Sequence, residues 1–213
     1  MTDSQKKEFK NIGLTWFPWI GKNYENGGLF NKKILILGES HYGTERDTWF
    51  NENLTRLSIQ QKIGEATGEN GKFYKKAFHT NIFLAFNEKP ATNEKKIDFW
   101  HSVAYFNYVQ GSVGDKPRVR PIKEDWKKSF QPTLESIKIL KPDIIVVLGY
   151  TLWKNIWHRF ENEVYEKTTF NNNHNIHKLK IDNNPLMFCI KHPSSGFSSD
   201  YFRPEILKYI NEK

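Results

Sequence analysis

Four continuously apolar runs in this sequence each predict a buried β-strand. They cover residues 33–37, 103–109, 143–148 and 186–190. None of them alternates between polar and apolar positions, as a strand with one solvent-facing side would. Such runs are typical of a parallel sheet whose two faces are both covered by helices.

Segments with a helical spacing of apolar residues separate these strands. Since proline interrupts a helix, Pro132 predicts a kink or a restart within the second segment. The predicted helices cover residues 72–86, 122–140, 150–160 and 203–210, and an Asn-rich turn at 171–175 joins two possible short strands at 164–170 and 176–181.

The alternation of strands and helices defines the predicted fold. Parallel strands joined by helical crossovers form a right-handed α/β arrangement. We therefore predict an α/β protein, a three-layer α/β/α sandwich with a central four-stranded parallel sheet. A length of 213 residues is ordinary for one such domain, so residues 1–213 are expected to form a single domain.

Composition adds expectations about the compartment and the partner. A net charge of +8 fits a polyanionic partner, although solubility alone also explains it. The single cysteine, Cys189, excludes an intramolecular disulfide and any cysteine-ligated cluster, and it suits a reducing compartment. Residues 1–7 lack the apolar core of a signal peptide, and no apolar stretch approaches the ~20 residues that span a bilayer. We expect a cytoplasmic protein without membrane contact.

Polar, small-residue loops follow the first and last predicted strands. Gly38-Glu39-Ser40-His41-Tyr42-Gly43 follows the first, and residues 191–198 follow the last. The second strand carries Asn107 within an otherwise apolar and aromatic run. In an open parallel sheet, ligands bind where the carboxyl ends of the strands meet. These segments therefore predict one site.

The same segments resemble a known family. Gly38-Glu39-Ser40-His41-Tyr42, Tyr105-Phe106-Asn107-Tyr108-Val109 and His192-Pro193-Ser194 occur in this order, and residues 118–124 and 140–149 lie between the last two. In order and strand placement they resemble the uracil-DNA glycosylase superfamily. Members of that family place G-Q-D-P-Y-H, G-E-A-P-G or G-M-N-P-G after the first strand, an Asn on the second and H-P-S after the last. The resemblance extends from Lys33 to Ser198.

The resemblance implies an activity and its partners. It implies hydrolysis of the N-glycosidic bond of a flipped, deaminated base, above all uracil, in single- or double-stranded DNA. It also implies a monomeric enzyme without metal or cofactor, and RNA stays open as a substrate. Enzymes of this kind must extrude the base into a pocket.

Two residues carry the predicted chemistry most clearly. The Asn107 amide offers a donor and an acceptor side by side, which match the imide edge of uracil; a strand Asn bonded to neighbouring backbone is the structural alternative. By resemblance, His192 donates a hydrogen bond to uracil O2 and stabilises the charge that collects there. The alternative for His192 is a loop histidine tied to a backbone carbonyl.

The resemblance also assigns the pocket walls. Gly38 opens the first motif, and Tyr42 aligns with the tyrosine that crowds base C5 and excludes thymine. His41 replaces the proline of that motif and adds a donor or a second titrating group. Either Trp49 or Phe50 supplies the aromatic platform, where stacking is worth ~1–3 kcal/mol, or both rings pack in the core.

Several residues are predicted to contact the DNA strand. The amides of Ser194 and Ser195 would hold phosphates beside the extruded nucleotide. Arg118 and Arg120 are further candidates for phosphate contact. Phe197 would fill the vacated gap in the stack, as apolar wedges do, or pack on the core as an ordinary loop aromatic.

One departure from the family pattern concerns the catalytic water. Ser40 stands where G-Q-D-P-Y-H has its water-orienting Asp, and serine is a weak base. Glu39 aligns with the Glu of G-E-A-P-G and is the best substitute for polarising water. That branch binds an iron–sulfur cluster through four cysteines, whereas this chain has one cysteine.

Two alternatives stay open. The first follows from the departure at Ser40, and the second from the resemblance of Gly38-Glu39-Ser40 to the G-D-S opening of SGNH-type ester hydrolases. One is a module of the same fold that binds uracil or nucleic acid with weak or no hydrolysis. The other is an SGNH-type ester hydrolase with Ser40 as nucleophile, although the Asp-x-x-His of that family is absent before His192 and Tyr42 breaks a G-x-S-x-G elbow. No metal site is expected, because His174 and His177 lack partners at metal-ligand spacing.

Overall fold

The computed structural model describes residues 1–42, 51–65, 77–114, 119–170, 174–194 and 196–211. The strands are β1 (Trp19–Ile20), β2 (Ile34–Gly38), β3 (Val103–Asn107), β4 (Ile144–Leu148), β5 (Val164–Phe170), β6 (His174–Leu179) and β7 (Leu186–Ile190). The α-helices are α1 (Asp3–Asn11), α2 (Leu54–Ile63), α3 (Ala77–Phe86), α4 (Asn93–Ser102), α5 (Lys123–Lys128), α6 (Phe130–Leu140), α7 (Tyr150–Ile156) and α8 (Ser199–Asn211). Short 3₁₀ helices cover Tyr24–Asn26, Gly28–Phe30 and Trp157–Glu163.

One mixed sheet runs through the protein in the order β1-β3-β2-β4-β7-β6-β5. The four predicted strands are β2, β3, β4 and β7, and they pair in parallel as neighbours. The α/β class is therefore confirmed, but a four-stranded sheet is wrong. The described sheet has seven strands, because β1 pairs antiparallel with β3 and the β5–β6 hairpin pairs antiparallel with β7.

Both faces of the sheet are covered by helices. Alternate residues of a strand point to opposite faces. Leu35 and Leu37 of β2 therefore pack with α1, α5, α6 and α7 on one face, while Ile34 and Ile36 pack with α2, α3, α4 and α8 on the other. This two-sided burial explains why the parallel strands are apolar without alternation.

Two helices that contain a proline differ from their predicted ranges. The predicted 122–140 helix breaks at Ser129, so that Pro132 is the third residue of α6. Proline is tolerated in a first turn because its missing N–H would have no partner there. Helix α8 begins four residues before the predicted start at 203 and contains Pro204.

Other boundaries also shift. The predicted 103–109 strand ends at Asn107, and the predicted 150–160 helix changes from α to 3₁₀ geometry after Ile156. Residues 72–76 of the first predicted helix lie outside the described residues.

Across the described ranges, no helix is both long and apolar enough to cross a membrane.

Candidate active site

A pocket of about 230 Å³ opens at the carboxyl ends of β2, β4 and β7. A pocket of this volume is smaller than the roughly 300–1,000 Å³ of sites for drug-sized ligands. Its volume fits a ligand with a single planar ring. Glu39 directly follows β2, Gly149 follows β4, and His192 follows β7. The predicted convergence of Glu39 and His192 is therefore present in the structure. The described lining residues are Glu39, Arg120, Gly149, Tyr150, Thr151, Lys191 and His192.

The His192 imidazole is held as a neutral donor. Its Nδ1 accepts a hydrogen bond from the Ser194 N–H at 3.2 Å. Burial lowers the pKa of His192; the nearby Glu39 carboxylate opposes this shift and the Arg120 guanidinium supports it. In a neutral imidazole one ring nitrogen accepts and the other donates. Nε2 therefore carries the proton at neutral pH.

Helix α3 and the residue after β4 fix the position of this ring. Phe78 lies against the imidazole with ring centroids 5.3 Å apart, and Asn81 Nδ2 donates to the Pro193 carbonyl at 2.7 Å. A Cβ at Gly149 would lie 3.3 Å from His192 Cβ and 3.4 Å from Cδ2. The φ of Gly149 is +108°, a conformation that side chains disfavour. Glycine at this position therefore leaves room for the histidine.

Three further residues belong to the site although the sequence did not predict them there: Phe78, Asn81 and Gly149. The first two lie within a segment that predicted only an amphipathic helix. A glycine directly after a buried strand was the available signal for Gly149, because such positions commonly allow close approach.

Glu39 and Arg120 form an ion pair beside His192. Glu39 Oε1 lies 2.7 Å from Arg120 Nη1, and the Glu39 side chain is only 12% exposed, whereas Arg120 is 60% exposed. The loop carrying Arg120 is anchored where the Ile122 N–H donates to the Asp125 carboxylate at the start of α5, at 2.9 Å. Arg120 was predicted to contact phosphate; in the structure it holds the predicted water-polarising carboxylate.

Asn107 lies near this pocket but is not among its described lining residues. It pairs in register with Gly38 on β2 and is 4% exposed. Its Oδ1 accepts a hydrogen bond from the Tyr105 hydroxyl at 2.9 Å. In the sheet, β3 is three strand positions from β7, or about 14 Å. The structure thus brings Glu39 and His192 together and leaves Asn107 across β2.

His41 contacts the protein interior. Its Nε2 lies 2.8 Å from Thr55 Oγ1 on α2, and its ring meets Trp16 edge-on with centroids 5.0 Å apart. Burial lowers the pKa of His41 to about 3, so the ring is neutral. These contacts give His41 a packing role, and its predicted role in substrate binding stays a prediction.

Ser40 and Tyr42 follow Glu39 in the chain and are not among the described lining residues of the pocket. Tyr42 is 41% exposed, and Ser40 is half-buried. Trp49 and Phe50, the predicted aromatic platform, lie outside the described residues.

The structure bears on two of the predicted DNA contacts, those of Ser194 and Phe197. The Ser194 amide was predicted to hold phosphate, but it donates to His192 Nδ1. Phe197 stacks on Phe202 with centroids 5.3 Å apart and an interplanar angle of 8°, and it packs against the core. Of its two predicted roles, the structure therefore shows the packed aromatic. Ser195 and Arg118 lie outside the described residues.

The esterase alternative receives no support from these contacts. A serine nucleophile needs a base within about 2.6–3.2 Å. Within the described ranges, no hydrogen bond joins Ser40 to a histidine. His41 Nε2 lies beside Thr55 Oγ1, and His192 Nδ1 accepts from the Ser194 N–H. In the same part of the chain, no group of three or more His, Cys, Asp or Glu residues is placed to hold a metal ion.

No protein-family model matches this chain, and no curated protein sequence matches it.

Proposed function

We propose that this protein is a DNA base glycosylase that hydrolyses the N-glycosidic bond of a flipped deaminated base, with uracil as the preferred base. One observation supports the proposal most directly. A neutral histidine, with its proton on Nε2, lines a ring-sized pocket at the carboxyl ends of parallel strands. A base of duplex DNA must leave the stack before it can enter such a pocket.

His192 stabilises the departing base. As the bond between the sugar C1′ and the base nitrogen breaks, its electron pair goes to the base, and negative charge collects on the oxygen at C2. A fixed donor in a partly buried site stabilises that charge without reorganising during the reaction. Removing a donor of this kind costs about 2.7–4 kcal/mol, or roughly 10²–10³ in rate.

Glu39 positions the attacking water. Arg120 occupies Oε1 of the carboxylate, which leaves Oε2 as the second acceptor. The oxygen of the water forms the new bond to C1′, the carboxylate takes the released proton, and the base anion leaves with the electron pair. Ser40 would assist as a hydrogen-bonding neighbour of this water.

Positive charge around the pocket favours the DNA strand. Arg120 is mostly exposed, and Lys191 lines the pocket beside His192. The net charge of +8 has the sign that a phosphate backbone attracts. We propose a monomer that acts on DNA in this way.

A module that binds uracil without releasing it is the second candidate. The Glu39–Arg120 ion pair favours it, because the guanidinium occupies one of the two carboxylate oxygens that could position water. Ser40 does not compensate, since it is a weak base.

The test uses oligonucleotides carrying uracil, hypoxanthine or xanthine, followed by alkaline cleavage at abasic sites. We expect cleavage at uracil by the wild type and a 10²–10³-fold slower rate for His192→Ala. His158→Ala is the matched control, because His158 is exposed on the 3₁₀ helix Trp157–Glu163. Selective binding of uracil oligonucleotides without abasic sites would establish the second candidate. Absence of both binding and cleavage would overturn the proposal.

A further inference from the structure

Tyr105 and Asn107 form a buried polar pair on β3. They are two residues apart on one strand and therefore share a face. The Tyr105 hydroxyl lies 2.9 Å from Asn107 Oδ1, and the two residues are 5% and 4% exposed. Gly38 of β2 closes this space, since a Cβ there would lie 2.1 Å from Asn107 Oδ1 and 2.6 Å from the Tyr105 hydroxyl oxygen.

The direction of this hydrogen bond decides where the Asn107 amide places its donor and its acceptor. An amide turned by half a rotation about its last torsion exchanges its donor and acceptor positions. Burial raises the pKa of Tyr105, so its hydroxyl keeps its proton and donates. In the described part of the chain, Asn107 Oδ1 is the acceptor found for this hydroxyl. A turned amide would leave a buried O–H without an acceptor, which is costly.

We infer that Tyr105 is a specificity-determining positioning residue, which holds the Asn107 amide in the orientation that accepts uracil and rejects cytosine. The inference rests on the proposed function and extends the binding site for the base from the His192 pocket to Asn107. Oδ1 keeps a second lone pair after accepting from Tyr105. That lone pair and the Nδ2 donor complement the N3–H and O4 of uracil, whereas cytosine presents an acceptor at N3 and a donor at N4.

Tyr105→Phe tests this role, because it removes the hydroxyl and keeps the ring. We expect the ratio of uracil to cytosine release, measured under single-turnover conditions, to fall by roughly ten- to a hundredfold. The loss appears mainly as increased activity on cytosine relative to uracil, which a merely structural role would not produce. Thermal unfolding of each variant establishes that it is folded.

Tyr24→Phe is the matched control. The Tyr24 hydroxyl is also buried and donates to the Leu140 carbonyl at 3.1 Å, at the end of α6. This variant loses a comparable hydrogen bond away from the pocket, and its uracil-to-cytosine ratio should match that of the wild type.

The ratio of dissociation constants for uracil and cytosine oligonucleotides is measured in parallel. If the wild type binds uracil selectively but releases no base, the glycosylase proposal fails, and the change in this binding ratio on Tyr105→Phe decides the inference. An unchanged ratio in Tyr105→Phe, in release or in binding, overturns the role of Tyr105. A wild type without preference for uracil in either assay overturns it as well.

Discussion

Gly38 is the position where the smallest added group should have the largest effect. It ends β2, directly opposite Asn107 in the parallel pairing with β3. An alanine Cβ would lie 2.1 Å from Asn107 Oδ1 and 2.6 Å from the Tyr105 hydroxyl oxygen. Real Cβ contacts of this length essentially do not occur, so the Asn107 and Tyr105 side chains must move away from β2 or the strands must shift.

The expected cost of Gly38→Ala follows from these contacts. Forcing a methyl group into a packed interior costs about 1–3 kcal/mol. Separating Tyr105 from Asn107 removes a buried hydrogen bond, which adds about 0.5–1.5 kcal/mol. Alanine also lowers the conformational entropy of the unfolded chain, which stabilises the folded protein by about 0.4–1 kcal/mol. Gly38→Ala should therefore lower the free energy of unfolding by about 0.5–4 kcal/mol.

Gly111→Ala is the control for this measurement. A Cβ at Gly111 meets nothing within 4 Å, and its φ is outside the positive range. We expect its free energy of unfolding in urea to equal that of the wild type or exceed it by about 0.4–1 kcal/mol. If Gly38→Ala is as stable as Gly111→Ala, the close packing of β2 against the Tyr105–Asn107 pair is wrong.

Three further predictions concern the supports of the site and the effect of pH. Gly149→Ala places a side chain at a positive φ and against His192. It should lower the free energy of unfolding by about 1–3 kcal/mol. It should also slow base release roughly 10²-fold. Asn81→Ala removes the hydrogen bond to the Pro193 carbonyl, so it should slow base release and lower the free energy of unfolding in urea by about 0.5–1.5 kcal/mol. An unchanged rate would show that this hydrogen bond does not position the loop that carries His192. His177 is buried, which lowers its pKa to about 4, so below pH ~6.5 the unfolded chain binds a proton that the folded protein does not. This residue should therefore lower the free energy of unfolding by about 2 kcal/mol between pH 7.5 and pH 5. The free energy of unfolding of His177→Gln should fall by about 2 kcal/mol less over the same range, and an equal fall in both proteins would contradict this role.

The parallel part of the sheet was predictable because its strands are buried on both faces. Runs such as Ile34–Gly38 and Ile144–Leu148 are apolar throughout, and that pattern needs no tertiary information. Edge strand β1 has two residues, Trp19 and Ile20, and exists only through pairing with β3. The β5–β6 hairpin itself was predicted, but its pairing with β7 depends on contacts that no local pattern specifies.

The site was predictable to the extent that it follows strand ends. Glu39 and His192 converge because β2, β4 and β7 are parallel neighbours. The Glu39–Arg120 ion pair joins residues 81 positions apart. The sequence around Arg120 does not indicate whether its guanidinium binds a carboxylate or a phosphate. For the same reason the stacking of Phe197 on Phe202 could not be distinguished from an exposed wedge.

The central claim is that His192 acts as a neutral imidazole whose proton is on Nε2. Nitrogen NMR of the histidine rings in the wild-type protein tests it directly, with His192→Ala used to assign the signal. The account predicts an unprotonated Nδ1 and a protonated Nε2 at pH 7, with a pKa below the ordinary 6.5. A pKa above that value, or a proton on Nδ1, would contradict the account.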